Sequence, residues 1–410
     1  MTSPEHDLAK MDGDVGRRRV ARLVDRLIGR LPSGCIAGRL IVRLPGGQEL
    51  VRKAPAHGPE ARVTLVRWRG VRRIITGGHI GFAEAYIAGD IDSPNLEAVF
   101  AWALANEPLL DRAWQGSELA RLISKLRHRL NANTRRGSRR NIAAHYDLGN
   151  DFYAAWLDRS MQYSSALYTS PNQSLEEAQQ AKLDRITELL DLRGGERVLE
   201  IGCGWGAVAE HLAGRHRCEV TALTLSREQA DYTSARLQRA GLGHLVDVRL
   251  EDYRAATGTF DRVVSIEMIE AVGQRFWPVY FQMLQRSLAP GGRIVLQAIT
   301  CGELRFCSYV REPDFIQRYI FPGGMLPTSA AIAREAANAG LAVESVETFG
   351  ASYARTLEDW RMRFVAAWPR LQAPGFDDRF RRMWIYYLDY CIAGFRSGEI
   401  DVGLYALRRA

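Results

Sequence analysis

A glutamate set two positions ahead of three alternating glycines is the pattern in this 410-residue chain that most directly implies chemistry: Val198-Leu199-Glu200-Ile201-Gly202-Cys203-Gly204-Trp205-Gly206. The run Val198 to Ile201 predicts a buried parallel strand. The glycines predict a tight turn at which backbone can approach a ligand with no Cβ between them. Ala207 to Ala213 predicts the helix that follows. The turn therefore stands at the carboxyl end of a first strand, where open α/β sheets bind ligands. Gly202, Gly204 and Ala207 also satisfy the dinucleotide pattern G-x-G-x-x-A. A pyrophosphate there would be repelled by Glu200. The second strand, Glu219 to Leu225, ends in Thr224-Leu225-Ser226, with no acid for a ribose 2′-hydroxyl. A nucleoside without phosphates fits better, which points to S-adenosylmethionine.

The elements that must position this turn follow from the hydrophobic pattern. Strands are expected near 197–201, 218–224, 245–250, 261–266 and 293–299. Helices are expected near 150–157, 174–192, 205–213, 226–240 and 276–288. The alternation predicts an α/β fold with a parallel, doubly wound sheet, and with the S-adenosylmethionine reading of the turn the expectation is a Rossmann-like doubly wound methyltransferase domain with a helical cap. The tail, Thr356 to Leu407, reads as helices dense in aromatics, among them Trp360, Phe364, Trp368, Trp384, Tyr386, Tyr387 and Tyr390. Most of these suit a helical core, and they could also wall an apolar channel.

Before this domain, residues 17–115 predict a small α+β domain. Val20, Leu23, Val24, Leu27, Ile28 and Leu31 recur at helical spacing against an arginine face. Gly38 to Leu44 and Ala61 to Trp68 alternate as strands, and 81–86 and 96–105 read as helices. Residues 116–140 form a basic helix and linker, with no acid between Glu118 and Asp147. The catalytic domain is expected over 141–410. The net charge of +8 favours an anionic partner. No aromatic interleaving or nucleic-acid module accompanies the basic stretch, so an anionic membrane surface is preferred to nucleic acid. Six cysteines without a C-x-x-C argue against a metal site or a disulfide framework and suit a reducing cytosol. The pattern shows neither a transmembrane span nor a signal peptide.

The ordered set of motifs resembles the cyclopropane-fatty-acyl-phospholipid synthases, including the mycolic acid cyclopropane synthases. It comprises His145-Tyr146-Asp147-Leu148, Met161-Gln162-Tyr163-Ser164, the glycine turn, Leu223-Thr224-Leu225-Ser226, Ile269-Glu270-Ala271-Val272-Gly273, Phe321-Pro322-Gly323-Gly324, Tyr353-Ala354-Arg355-Thr356-Leu357 and Cys391 to Ile400. The first domain, with Gly81-Phe82-Ala83-Glu84-Ala85-Tyr86, resembles the lipid-binding N-domain of the phospholipid-acting members. The resemblance implies S-adenosylmethionine held by Tyr163, Ser164, Val198, Leu199, Glu200, Ile201, Gly202, Cys203, Gly204, Trp205, Gly206, Thr224, Leu225, Ser226, Arg227, Glu228, Gln229, Tyr253 and Arg254. It implies a bicarbonate ion beside the reacting carbon. Ile266, Glu270 and Tyr353 match the family there, while Ser165 and Gln297 replace the usual cysteine and histidine. Cys391 matches a family active-site cysteine, although its chemistry here suggests packing.

The implied reaction suits these residue types. An alkene is a weak nucleophile, so a sulfonium methyl must be held at near-attack distance. The carbocation left by transfer requires a dry pocket, which aromatic faces can stabilise. A base must then remove a proton from the added methyl so that a ring closes. Glu270, after the fourth strand, is the candidate to hold or be that base, and Glu267 reads instead as an exposed carboxylate at a helix start. The expectation is a cyclopropane-fatty-acyl-phospholipid synthase acting on unsaturated phospholipids, cytoplasmic and peripherally bound to the inner membrane surface, with a homodimer admissible. Methylation without ring closure is the alternative within the enzyme class, and an inactive lipid-binding protein the alternative outside it.

Overall fold

The computed structural model describes residues 37–107, 110, 148–311, 313–372 and 376–410. The expected N-terminal amphipathic helix, the basic stretch and linker, and His145, Tyr146 and Asp147 lie outside the described residues. Among those described, residues up to Ser124 join Gln372–Ser397 in one compact unit, and residues from Lys125 to Leu371 join Gly398–Ala410 in a second.

The first unit holds a four-stranded sheet of β1 (Ala37–Arg43), β2 (Glu49–Lys53), β3 (Ala56–Leu65) and β4 (Ile91–Asp92), in the order β2-β1-β3-β4. The Pro45-Gly46-Gly47 turn does not lead directly to the second predicted strand. It closes a hairpin with β2, a short, largely exposed strand, and β3 then pairs with β1 in parallel. The helix Trp68–Ile87 breaks at Gly78. A Cβ on Gly81 would lie 1.9 Å from the Arg73 carbonyl oxygen, so only glycine fits there. The Asp90 side chain is fully buried and paired with Arg69 and Arg73, each at 2.5 Å.

The helix Asp378–Ser397 belongs to this first unit, although the sequence pattern assigns it to the catalytic domain. Its apolar face supplies the reason. Tyr386 meets Phe82, Tyr86 and Phe100, while the Arg382 guanidinium stacks 4.1 Å over the Tyr86 ring and donates to the Tyr86 and Ile91 carbonyls. Cys391 lies on this helix.

The second unit is built on a seven-stranded sheet. Its strands are β5 (Arg197–Ile201), β6 (Glu219–Thr224), β7 (Val246–Leu250), β8 (Phe260–Ile266), β9 (Leu288–Cys301), β10 (Leu341–Thr348) and β11 (Ile400–Arg409), in the order β10-β11-β9-β8-β5-β6-β7. β5 to β9 are mutually parallel, as the alternation predicts. β10 and β11 add an antiparallel edge. The tail is therefore not wholly helical: Val402 to Leu407 forms a buried strand between β9 and β10. Alternate residues along the sheet feed two cores. Leu199, Val263 and Leu296 lie in one, and Val198, Val264 and Val295 in the other. Ser174 and Glu177 form a reciprocal capping box at the start of the helix Leu175–Leu190, and Ser226 caps the helix Arg227–Arg239.

Candidate functional site

Chain order reverses between β5 and β8, whose carboxyl ends lie side by side. That is the switch point at which an open α/β sheet presents its ligand crevice. The glycine turn leaves β5 there, with Gly202, Gly204 and Gly206 all at positive φ. Their constraints differ. A Cβ at Gly206 would fall 2.5 Å from the Thr233 methyl, so that glycine is required by packing. A Cβ at Gly204 would meet no protein atom within 4 Å. Thr233 also donates to the Gly204 carbonyl and holds the turn in shape.

Beneath the turn, Glu200 is buried, and its Oε2 has no hydrogen-bond partner among the described residues. Burial pushes its pKa up to about 8. Such an enclosed carboxylate suits a cationic ammonium, as the amino-acid end of S-adenosylmethionine would supply. Thr224 donates to Gln229 and receives the Ser226 N–H, which orders the end of β6. Arg254 is locked on Asp252 by bonds of 2.8 and 2.6 Å. Tyr253 packs in the sheet's core beside Tyr280. The residues present fit this cofactor.

The Glu200 carboxyl has a measurable consequence. In the unfolded chain it ionises near 4.5, whereas in the folded chain it keeps its proton to about 8. The folded state thus binds more protons between these values, and stability contributed by the group falls as pH rises across them. Thermal midpoints of cofactor-free Glu200→Gln should decline less steeply with pH over that window than those of the parent chain.

Next to the turn, a set of aromatic side chains packs ring on ring. Tyr163 meets Tyr153, Trp156, Phe321 and Trp360, and Tyr153 meets Trp205 at 4.9 Å. Tyr353 packs edge-on against Trp360. Trp156 and Trp360 have no surface exposure.

At the edge of this assembly lies a polar cluster whose centre the sequence pattern does not reveal. It is Glu267, the residue following β8, whose backbone adopts φ +48°. One carboxylate oxygen, Oε1, accepts the Ser165 N–H at 2.8 Å and Gln297 Nε2 at 2.7 Å. The other, Oε2, accepts the Tyr353 hydroxyl at 2.7 Å. The Glu267 backbone N–H also binds the Gln297 carbonyl. Burial drives the Glu267 pKa above the usual carboxylate range, although these bonds and the nearby Lys182 charge oppose the rise. Lys182 is itself wholly buried, with Nζ 2.8 Å from Ser164 Oγ, and desolvation lowers its pKa to about 8.

Glu267 is therefore not the exposed helix-start carboxylate that its position suggests. Glu270 stands apart from this set of donors. Its Oε1 accepts the Ile299 N–H at 2.5 Å, and its Oε2 has no hydrogen-bond partner among the described residues. Burial, with the Glu267 charge second, raises its pKa to about 8. The Ser165 hydroxyl donates to the Ala166 carbonyl, leaving the backbone N–H as its contribution to the cluster.

The arrangement does not fit the bicarbonate that the resemblance implies. Ser165, Gln297 and Tyr353 spend the donors expected for it on Glu267. A second anion would meet a carboxylate instead. No group of three or more His, Cys, Asp or Glu residues suited to hold a metal ion occurs among the described residues.

Comparison with known proteins matches residues 133–404 to the family described as mycolic acid cyclopropane synthetase. A tuberculostearic acid methyltransferase, UfaA1, of Mycobacterium tuberculosis is 41% identical over 82% of this chain and 81% of its own. A cyclopropane-fatty-acyl-phospholipid synthase of Escherichia coli is 36% identical over 81% of this chain and 83% of its own. Among solved structures, the mycolic acid cyclopropane synthase CmaA1, complexed with SAH and CTAB, superposes with a TM-score of 0.62 at 29% identity, covering 66% of this chain and 98% of that one.

Proposed function

The chain belongs to the mycolic acid cyclopropane synthetase family and is an S-adenosylmethionine-dependent methyltransferase, and from that premise we propose that it methylates the cis double bond of an unsaturated phospholipid acyl chain, ring closure following. The observation that carries this reading is a half-buried glutamate, Glu267, held by Ser165, Gln297 and Tyr353 beside a packed set of aromatic rings near the sheet's switch point. When bound, S-adenosylmethionine supplies an electrophilic methyl. The glycine turn and Glu200 hold it, with Tyr163 and the end of β6 beside it. Tyr163 and Tyr353 offer π faces to the carbocation formed on the acyl chain, and the buried Trp360 packed against both helps to exclude water. The Glu267 cluster supplies a carboxylate to serve as the proton acceptor. Labelled cofactor incubated with unsaturated phospholipid vesicles should deliver its label to lipid, and a chain that binds cofactor but labels no lipid would end this reading.

A second product is favoured by the 41% identical relative, whose name specifies methyl transfer for tuberculostearic acid rather than ring formation. A hydride shift before proton loss would give a methylene branch of the same mass. Proton NMR separates the two, because ring protons resonate far upfield and methylene protons in the alkene region.

The substrate requires access to a lipid surface. No helix among the described residues is long and apolar enough to cross a membrane. Peripheral attachment through the acid-free stretch Lys125 to Arg140 meets that need. Binding to anionic vesicles should weaken as salt screens the charges, and neutralising Arg135, Arg136, Arg139 and Arg140 should weaken it further. Cosedimentation checks this, and equal binding to neutral and anionic vesicles at every salt concentration would refute it.

A further inference from the structure

Three segments far apart in sequence converge on one carboxylate. Ser165 offers a backbone N–H, Gln297 a side-chain amide and Tyr353 a hydroxyl, and all three bonds, at 2.7 to 2.8 Å, end on Glu267. A non-glycine residue at φ +48° is strained. Strain of this kind persists where the surroundings over-determine it, and here it turns the glutamate into the donors. The wholly buried Lys182 sits on Ser164, the neighbour of Ser165, and gives the cluster a compensating positive charge. The chain has thus filled an anion-binding arrangement with its own side chain.

Resting on the methyltransferase reading above, we propose that the Glu267 carboxylate replaces bicarbonate as the proton acceptor of this enzyme. A C–H bond of the added methyl breaks, and its electron pair forms the new carbon–carbon bond to the cationic carbon. The proton passes to Glu267, giving a carboxylic acid that returns it to water after product release. Ser165, Gln297 and Tyr353 are positioning residues for that carboxylate.

The test uses the full chain and bicarbonate itself. Wild-type protein mixed with ¹³C-bicarbonate should show no binding by ¹³C NMR, with or without cofactor. Its rate on lipid should be unchanged when carbon dioxide is stripped from the buffer. Glu267→Gly relieves the positive φ and frees the three donors. It should gain bicarbonate binding, and its rate should fall by about 100-fold or more and recover in part as bicarbonate is added. Glu267→Gln keeps the site filled and should be neither a bicarbonate binder nor rescued. Bicarbonate bound at the cluster of the wild-type protein, or a wild-type rate that collapses on its removal, would overturn the proposal whatever the variants do. Both binding measurements need no lipid turnover, so they stand apart from failure of the substrate assignment.

Discussion

Product formation by Glu267→Gln should fall by about 100- to 10,000-fold, the contribution expected of a positioned general base. Cofactor affinity and the thermal midpoint should move little. The substitution is close to isosteric. Its carbonyl oxygen can keep the Ser165 and Gln297 bonds made to Oε1, and the Tyr353 hydroxyl can rotate to accept from the new amide. What is lost is the negative charge and the capacity to take a proton. Glu270→Gln tests the competing assignment. Its Oε1 bond to Ile299 N–H survives in the amide, and burial already favours the neutral acid there. It should therefore be impaired much less. Single-turnover assays of lipid product, with calorimetry for cofactor binding, distinguish the two, and the reverse ranking would place the base at Glu270.

Gly204→Val should abolish cofactor binding, a loss of at least about 100-fold in affinity, while the chain stays folded. A Cβ there meets no protein atom, so packing does not oppose it, and φ +52° adds about 1–2 kcal/mol of backbone strain. The side chain would stand where cofactor must approach the backbone. Gly206→Val should behave differently. Its Cβ would collide with Thr233, and φ is +85°, so fold and binding should be lost together. Calorimetric titration of both variants, with thermal melts as the control for folding, checks the contrast. Unchanged affinity in folded Gly204→Val would remove the glycine turn from the cofactor site.

The parallel strands and the glycine turn were legible because their signals are local. Val198 to Ile201 and Val263 to Ile266 are short apolar runs, and the glycines declare the turn. Val402 to Leu407 carries an equally apolar run, but it follows a long aromatic helix and reads as its continuation. Only pairing with β9 reveals a strand. The division of the tail was hidden for a related reason: the aromatic face of Asp378–Ser397 does not say which core it covers. Glu267 was obscured most. Its three donors lie 102, 30 and 86 residues away, and its own sequence context is that of a solvent-facing helix start. One local signal was available, a second acid three residues before Glu270 in Ile266-Glu267-Met268-Ile269-Glu270. Lys182, on an amphipathic helix, likewise reads as a surface charge although it is wholly buried.

In the proposed reaction a methyl from S-adenosylmethionine joins the acyl chain and then surrenders one proton. Cofactor carrying a trideuterated methyl group measures both steps at once by mass spectrometry of the purified lipid. The expected product retains two of the three deuterium atoms, whether the carbon ends in a ring or a methylene branch. Lipid retaining all three would show that no proton leaves the added methyl, and would contradict the role assigned to the Glu267 cluster.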